Sequence, residues 1–296
     1  MNPLKVAILG SGNIGTDLLI KIMRSPYLEC SLFIGRHLNS PGMNKASSLG
    51  VRISDLSIEA IEKDPDCCQL VFDATSALDH KKHWPILKKL NKKVIDMTPS
   101  GIGEMCIPAL NIEQCLKYDN VNMITCGGQS AIPLTYVIGK TQKDIEYIEV
   151  VSTIATRSAG PATRINLDEY IETTEKGIRK FSGCTNVKAI LTISPAQPPI
   201  DMQTTIFAKI KKPDIAKLSE EVSGMVRKIQ TYVPGYQLVI PPVLESERVV
   251  MMVKVQGLGD YLPKYAGNMD IINCAAIAMA EEYAKKTGKS PDEVVS

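Results

Sequence analysis

The sequence predicts an α/β protein: a Rossmann-type domain with a parallel sheet, followed by an α+β domain with a mixed sheet. Three observations carry that prediction. An apolar run of strand length, Lys5-Val6-Ala7-Ile8-Leu9, passes through Gly10-Ser11-Gly12-Asn13-Ile14-Gly15 into a run with helical spacing, Thr16 to Met23. Short strands then alternate with helical segments as far as about residue 126, the pattern of a parallel sheet with crossover helices. From about residue 144 the texture changes. Ile145 to Ile154 is longer, β-rich and partly alternating, which suits an antiparallel or mixed sheet.

Composition narrows the classes of function. With 296 residues the chain is comfortable for two domains, and 44% hydrophobic with 22% charged residues is the balance of an ordinary globular protein. A net charge of +2 offers no electrostatic case for nucleic acid or an anionic membrane. There is no run of about 18 apolar residues, as a membrane span needs, and the N-terminus runs straight into a strand without a signal-peptide layout. Eight cysteines at these spacings form neither a disulfide framework nor a paired zinc signature, so a reduced, cytoplasmic setting is expected.

In the first half the glycine pattern has a mechanical meaning. The first glycine makes a tight turn, the second admits a pyrophosphate, and the third lets helix and strand pack closely, with the phosphates on the helix N-terminus. The second strand, Cys30 to Gly35, is followed by Arg36 where an acid usually holds the ribose hydroxyls. Arginine there suits the 2′-phosphate of NADP or a solvated strand end. Short helices are expected over Met43–Leu49 and Ser57–Lys63, strands over Gln69–Ser76 and Lys93–Asp96, and a helix over Leu78–Leu90. Val121 to Cys126 is expected to close the sheet.

That places Cys126 at the carboxyl edge of the strands, where open α/β sheets bind ligands. The stretch Ile124-Thr125-Cys126-Gly127-Gly128-Gln129 sets a thiol before two glycines, and Ser130 to Leu134 reads as the opening of a helix. A helix N-terminus favours the thiolate, and N–H groups around Gly127 and Gly128 are candidate donors to an oxyanion. Without that placement a lone cysteine is simply a small buried hydrophobe. All three histidines, His37, His80 and His83, precede Cys126, so the second half has none to pair with it. His80 and His83 are expected to be surface or packing residues of one helix, with no zinc site.

In the second half Ser158-Ala159-Gly160-Pro161-Ala162-Thr163-Arg164 reads as a small-residue loop, and Asn166 to Tyr170 as a helix start. Thr185–Ile193, Thr204–Ile210 and Val249–Val255 read as strands, and Leu218–Val233 as an amphipathic helix. The open face of their sheet is a candidate dimer surface. A last, largely apolar helix from about Asn268 to Lys286 is expected to return to the first domain, and the tail after Gly288 to fray. The domains are therefore 1–126, completed by the helix at 268–288, and 127–267.

Ordered segments along nearly the whole chain resemble the acylating acetaldehyde dehydrogenases of meta-cleavage pathways. They include Ser11-Gly12-Asn13-Ile14-Gly15, Val71-Phe72-Asp73-Ala74-Thr75-Ser76-Ala77, Ile107-Pro108-Ala109-Leu110-Asn111 and Met123-Ile124-Thr125-Cys126-Gly127-Gly128-Gln129. Ser158 to Asn166, Gly259-Asp260-Tyr261-Leu262-Pro263 and Tyr265-Ala266-Gly267-Asn268-Met269-Asp270-Ile271 continue the match. The resemblance implies conversion of acetaldehyde, NAD and coenzyme A to acetyl-CoA and NADH, with Cys126 as nucleophile. It implies cofactor contacts at Ser11, Gly12, Asn13 and Ile14, at Ser158, Ala159, Gly160, Pro161, Ala162, Thr163, Arg164, Ile165 and Asn166, and at Asn268. It implies too a homodimer, and a 4-hydroxy-2-oxovalerate aldolase that supplies the aldehyde in aromatic hydrocarbon catabolism. Two departures stand out. Arg36 replaces the usual acid, and the aspartate that tunes the cysteine in the family falls on Thr204 within Met202-Gln203-Thr204-Thr205. Asp201 lies three residues earlier, on the opposite face of a strand. The alternatives are a semialdehyde or acyl-phosphate reductase, which needs the missing histidine, and a non-catalytic nucleotide-binding sensor or scaffold.

Overall fold

The computed structural model describes residues 2–288; the tail expected to fray lies outside the described residues. The chain forms two compact units, one running through Met123 and resuming at Asn273, the other Ile124–Ile272.

The first unit contains β1 (Leu4–Leu9), α1 (Asn13–Ile22), β2 (Leu28–Ile34), α2 (Pro41–Ser48), β3 (Ile53–Ser54) and α3 (Glu59–Lys63). After them come β4 (Leu70–Asp73), α4 (Ala77–Lys89), β5 (Lys93–Asp96), β6 (Glu104–Met105), α5 (Pro108–Cys115) and β7 (Asn120–Asn122). The strands make one sheet in the order β3-β2-β1-β4-β5-β7-β6, and every pairing is parallel. The central strands are short apolar runs, because a parallel sheet covered on both faces has no solvent side to alternate toward. Leu9, Leu32, Ile34, Ile61, Val71, Leu87 and Val94 build one core cluster of this unit. α4 begins where Ser76 accepts from the Asp79 N–H at 3.1 Å, an N-cap that satisfies one of the helix's free donors.

The second unit contains α6 (Cys126–Thr141), β8 (Ile145–Ala155), a 3-10 turn at Thr156–Ser158, α7 (Pro161–Ile165), α8 (Leu167–Ser182) and β9 (Val187–Ser194). It continues with β10 (Met202–Ile210), α9 (Ile215–Gln230), β11 (Tyr236–Glu245), β12 (Arg248–Val255) and the start of α10 (Gly267–Thr287). Its sheet runs β11-β12-β10-β8-β9. Only β8 and β9 are parallel, so the sheet is mixed as the sequence predicts. Burial alternates along β10, with Thr204 and Ile206 on the face that the helices cover.

Several elements differ from expectation. The sheet's sequence-last strand ends at Asn122, and α6 starts at Cys126 rather than near Ser130. Ile124 takes a left-handed φ of 64°, a rare state for a β-branched residue, and turns the chain between the two. That strand is also not the edge of its sheet, since β6 lies outside it. The expected loop at 158–164 is largely helical, as the 3-10 turn and α7. β11 has no counterpart among the predicted strands. Pro241 and Pro242 interrupt its pattern, and an edge strand with two register shifts accommodates them. Of the two roles expected for His80 and His83, surface or packing, the structure shows packing: both are buried, with Nδ1 atoms 3.0 and 2.9 Å from the same Asp73 oxygen.

α10 ties into the first unit from Asn273 onward. Asn273 Nδ2 donates to Asp17 Oδ2 at 2.8 Å and to the Ile14 carbonyl at 3.2 Å, beside the N-terminal turn of α1. Asp17 also holds Lys21 at 2.7 Å, so this buried carboxylate is paired.

Candidate active site

In the first unit the turn between β1 and α1 is shaped by its glycines. Gly10 sits at φ 120°, and a Cβ there would come 2.5 Å from the Ala74 carbonyl oxygen. A Cβ on Gly15 would run into the Gly10 carbonyl, so the third glycine is what lets α1 approach the strand. Gly12, the N-cap of α1, has nothing within 4 Å of where a Cβ would stand. Among the described residues no side chain caps this helix, unlike α4 and α6. Open space beside uncapped N–H groups at a helix start is an arrangement able to receive a phosphate. Ser11, Gly12, Asn13 and Ile14 form this turn. Arg36 follows the end of β2 and is exposed.

In the second unit Cys126 is the first residue of α6 and is half-buried. Thr125 precedes it as N-cap, its Oγ1 accepting the Gly128 N–H at 2.8 Å. The Gly127 N–H donates instead to the Tyr170 hydroxyl of α8 at 3.0 Å, and the same hydroxyl lies 3.7 Å from Cys126 Sγ. One expectation needs correction here. The Gly127 and Gly128 amides are not free oxyanion donors, because Tyr170 and Thr125 already accept from them. Burial pushes the Cys126 thiol up, while the Tyr170 hydroxyl and the N–H groups of Gly127 and Cys126 pull it down by less.

Gly127 earns its place through space rather than flexibility. A Cβ on it would overlap the Tyr170 hydroxyl and stand 2.8 Å from Ser152 Oγ. Behind the phenol lies a row of hydroxyls. Ser152 of β8 lies beside the phenol and is 3.1 Å from Thr204 of β10, which is 2.7 Å from Ser130 of α6. Ser152 and Thr204 are paired in register on adjacent strands, so their side chains emerge side by side on the covered face. Asp201 precedes β10 and pairs with Lys254 at 3.8 Å, so it does not replace an acid at 204. Tyr170 was not legible as a site residue: it is distant in sequence from Cys126, and nothing in its local pattern separates it from a core tyrosine.

The remaining residues of interest cluster around the 3-10 turn and α7. Ser158 is buried, with its hydroxyl on the Ala155 carbonyl at 2.9 Å. Arg164 Nε donates to the Ala159 carbonyl at 3.1 Å, which ties the segment to itself. Gly160, Pro161, Ala162, Thr163 and Ile165 lie along it, with Ile165 exposed, and Asn166 is the buried N-cap position of α8. Asn268 Nδ2 donates to the Ser158 carbonyl at 3.2 Å, so Asn268 and this segment are brought together. Asn268 Oδ1 is buried without a hydrogen-bond partner among the described residues. An orphaned acceptor is costly unless a donor such as a carboxamide N–H arrives. Among the described residues no three His, Cys, Asp or Glu side chains are grouped to hold a metal ion.

Comparison with known proteins bears on both units. Residues 5–101 match the semialdehyde dehydrogenase NAD-binding domain, and residues 126–263 match the dimerisation domain of prokaryotic acetaldehyde dehydrogenase. Aspartate semialdehyde dehydrogenase II of Vibrio cholerae, solved with its semialdehyde ASA, superposes with a TM-score of 0.66 at 12% identity, covering 97% of this chain and 100% of that one. The enzyme of Candida albicans solved with NADP superposes at 0.62 and 11% identity, covering 95% and 100%. The fold is thus shared with two-domain semialdehyde dehydrogenases, and the first unit carries a match to an NAD-binding domain. Acetaldehyde dehydrogenase of Spirochaeta aurantia is 59% identical over 96% of this chain and 95% of its own length. That of Pectobacterium atrosepticum is 60% identical over 94% of each. The chain belongs to the acetaldehyde dehydrogenase family.

Proposed function

We propose that the protein is a CoA-acylating acetaldehyde dehydrogenase that works through covalent catalysis at Cys126. The observation that carries the reading is the position of this thiol at the first turn of α6, against a tyrosine hydroxyl, in a chain of this family. The Cys126 thiolate adds to the aldehyde carbon and forms a thiohemiacetal. The bound nicotinamide supplies the hydride acceptor for the next change, which leaves a thioester on Cys126. Coenzyme A then attacks the thioester carbonyl as its thiolate, takes the acyl group and returns Cys126 as a thiolate. A thioester suits this exchange because another thiol accepts the acyl group at little energetic cost.

The cradle at Ser11, Gly12, Asn13 and Ile14 holds the pyrophosphate in this reading. The segment Ser158–Asn166 and Asn268 hold the nicotinamide end, with Asn268 Oδ1 as the acceptor for its carboxamide. NAD is the proposed acceptor, and exposed Arg36 is the group that meets a 2′-phosphate if NADP also serves. Residues 1–126 with 268–288 form the nucleotide-binding domain, and 127–267 the catalytic and dimerisation domain through which two copies pair. A 4-hydroxy-2-oxovalerate aldolase is the proposed source of the aldehyde.

The test is formation of reduced nucleotide from acetaldehyde, with and without coenzyme A and with each nucleotide. Turnover is expected to need coenzyme A and to vanish in Cys126→Ala. Undiminished turnover in that variant overturns the mechanism, and a clear NAD preference removes Arg36 from cofactor choice.

A further inference from the structure

We propose that Tyr170 is a catalytic residue: its phenolic hydroxyl donates a hydrogen bond to Cys126 Sγ and holds the thiolate that begins the reaction. The inference rests on Cys126 being the nucleophile. A phenol has one proton and accepts two hydrogen bonds. The Tyr170 oxygen accepts the Gly127 N–H at 3.0 Å. Its own proton is then left for the sulfur at 3.7 Å. A thiol is a poor acceptor and a thiolate a strong one, so this contact favours the ionised form. Donation of the Gly127 N–H into the phenol strengthens its outward hydrogen bond. The thiol's proton leaves to solvent, and Tyr170 keeps its own.

Three features show that the contact is built. Gly127 lacks the Cβ that would displace the hydroxyl. Ser152 is held in place by Thr204, and Thr204 by Ser130. The backbone of α8 at Tyr170 is fixed by Thr174, whose hydroxyl donates to the Tyr170 carbonyl at 2.7 Å, and Thr174 in turn meets the N-cap Thr125 at 2.7 Å. The groups that face the sulfur and the phenol from α6, β8 and β10 bring hydroxyls and amides rather than charges. On α8, Asp168 and Glu172 are exposed, Glu169 is half-buried, and Glu175 pairs with Arg179 at 3.0 Å. Burial holds the phenol well above its ordinary range, so it remains a donor. In this site a tyrosine hydroxyl does the work of stabilising the thiolate without an acid at position 204.

The experiment measures alkylation of Cys126 by iodoacetamide as a function of pH, read on the Cys126 peptide by mass spectrometry, in the native chain, Tyr170→Phe and Ser152→Ala. The midpoint is expected to rise by about one unit in Tyr170→Phe, which is about a tenfold loss of rate at pH 7. A smaller change of the midpoint is expected in Ser152→Ala, whose hydroxyl neighbours the phenol. kcat is expected to fall in Tyr170→Phe while nucleotide affinity is kept. An unchanged or lower midpoint in Tyr170→Phe overturns the proposal. Should that variant fail to fold, an unchanged midpoint in Ser152→Ala overturns it instead. Full turnover in Cys126→Ala would defeat the functional reading separately, while the alkylation profile would still decide the Tyr170 contact.

Discussion

At Cys126 burial and hydrogen bonding oppose each other, and the balance is what a thiol enzyme must set. Burial raises the cost of the charge, and the hydrogen bonds aimed at the sulfur offset part of it. Thr204 belongs to the same account. Fully buried between Ser130 and Ser152, it supplies hydroxyl contacts where a carboxylate would supply a base. A thioester with no base nearby resists water better than it resists a thiol. Thr204→Asp is therefore expected to hydrolyse its acyl-enzyme faster in the absence of coenzyme A, as followed by release of acetate. It is also expected to melt at lower temperature, because a buried carboxylate is costly unless fully hydrogen-bonded. Equal hydrolysis in the two proteins would remove position 204 from this role. At this scale Cys126 was legible, because the glycines after it and the strand order before it are local signals. Tyr170 was not, because its meeting with Cys126 depends on α8 packing over the start of α6.

The element that was most legible is the turn from β1 into α1. Its glycines differ in purpose, and that difference is testable. An alanine at Gly12 meets nothing within 4 Å, so Gly12→Ala is expected to melt within a few degrees of the native chain. Its methyl group occupies the space a pyrophosphate needs, and NAD affinity by calorimetry is expected to fall at least tenfold. Gly15→Ala places a methyl against the Gly10 carbonyl. It is expected to lose about 1–3 kcal/mol of stability, in the range of overpacking a tight contact. Equal stability of the two variants would contradict this division of labour. The segment at 158–166 was less legible. Its small residues read as a loop, but Pro161 is pre-set for a helix start and opens the five residues of α7. β11 escaped because two prolines mask a strand that sits at an edge.

At the scale of the whole fold, stability carries a pH dependence from a buried cluster in the first unit. Burial raises the pKa of Asp73, but the hydrogen bonds from His80 and His83 outweigh it and bring it down to about 2. Burial lowers His80, yet its hydrogen bond to Asp73 and the nearby Asp96 leave it above its ordinary value. Burial also raises Asp96, to about 6. The contribution of Asp73 is present above the ordinary aspartate range and is lost as pH falls through about 2. That of His80 is complete below the ordinary histidine pKa and is lost as pH rises through its raised value. The melting-temperature deficit of His80→Gln is accordingly expected to be larger at about pH 6 than at about pH 9. An equal deficit at both would mean that His80 is held neutral throughout. The choice between surface and packing for these histidines, and their shared partner Asp73, was not legible, because α4 has polar residues on several faces and only the sheet shows which of them turn inward.

The sequence by itself determined the two sheet types, the nucleotide turn and the candidate nucleophile, because strand and helix periodicity, glycine placement and strand order are all local or sequential signals. Tertiary structure alone decided what surrounds the thiol. Tyr170, Ser152, Thr204 and Ser130 come from α8, β8, β10 and α6, elements that meet only because a covered sheet face and three apolar helix stripes must be buried together. Hydrogen-bond partners chosen by packing leave no mark in the spacing of residues along the chain.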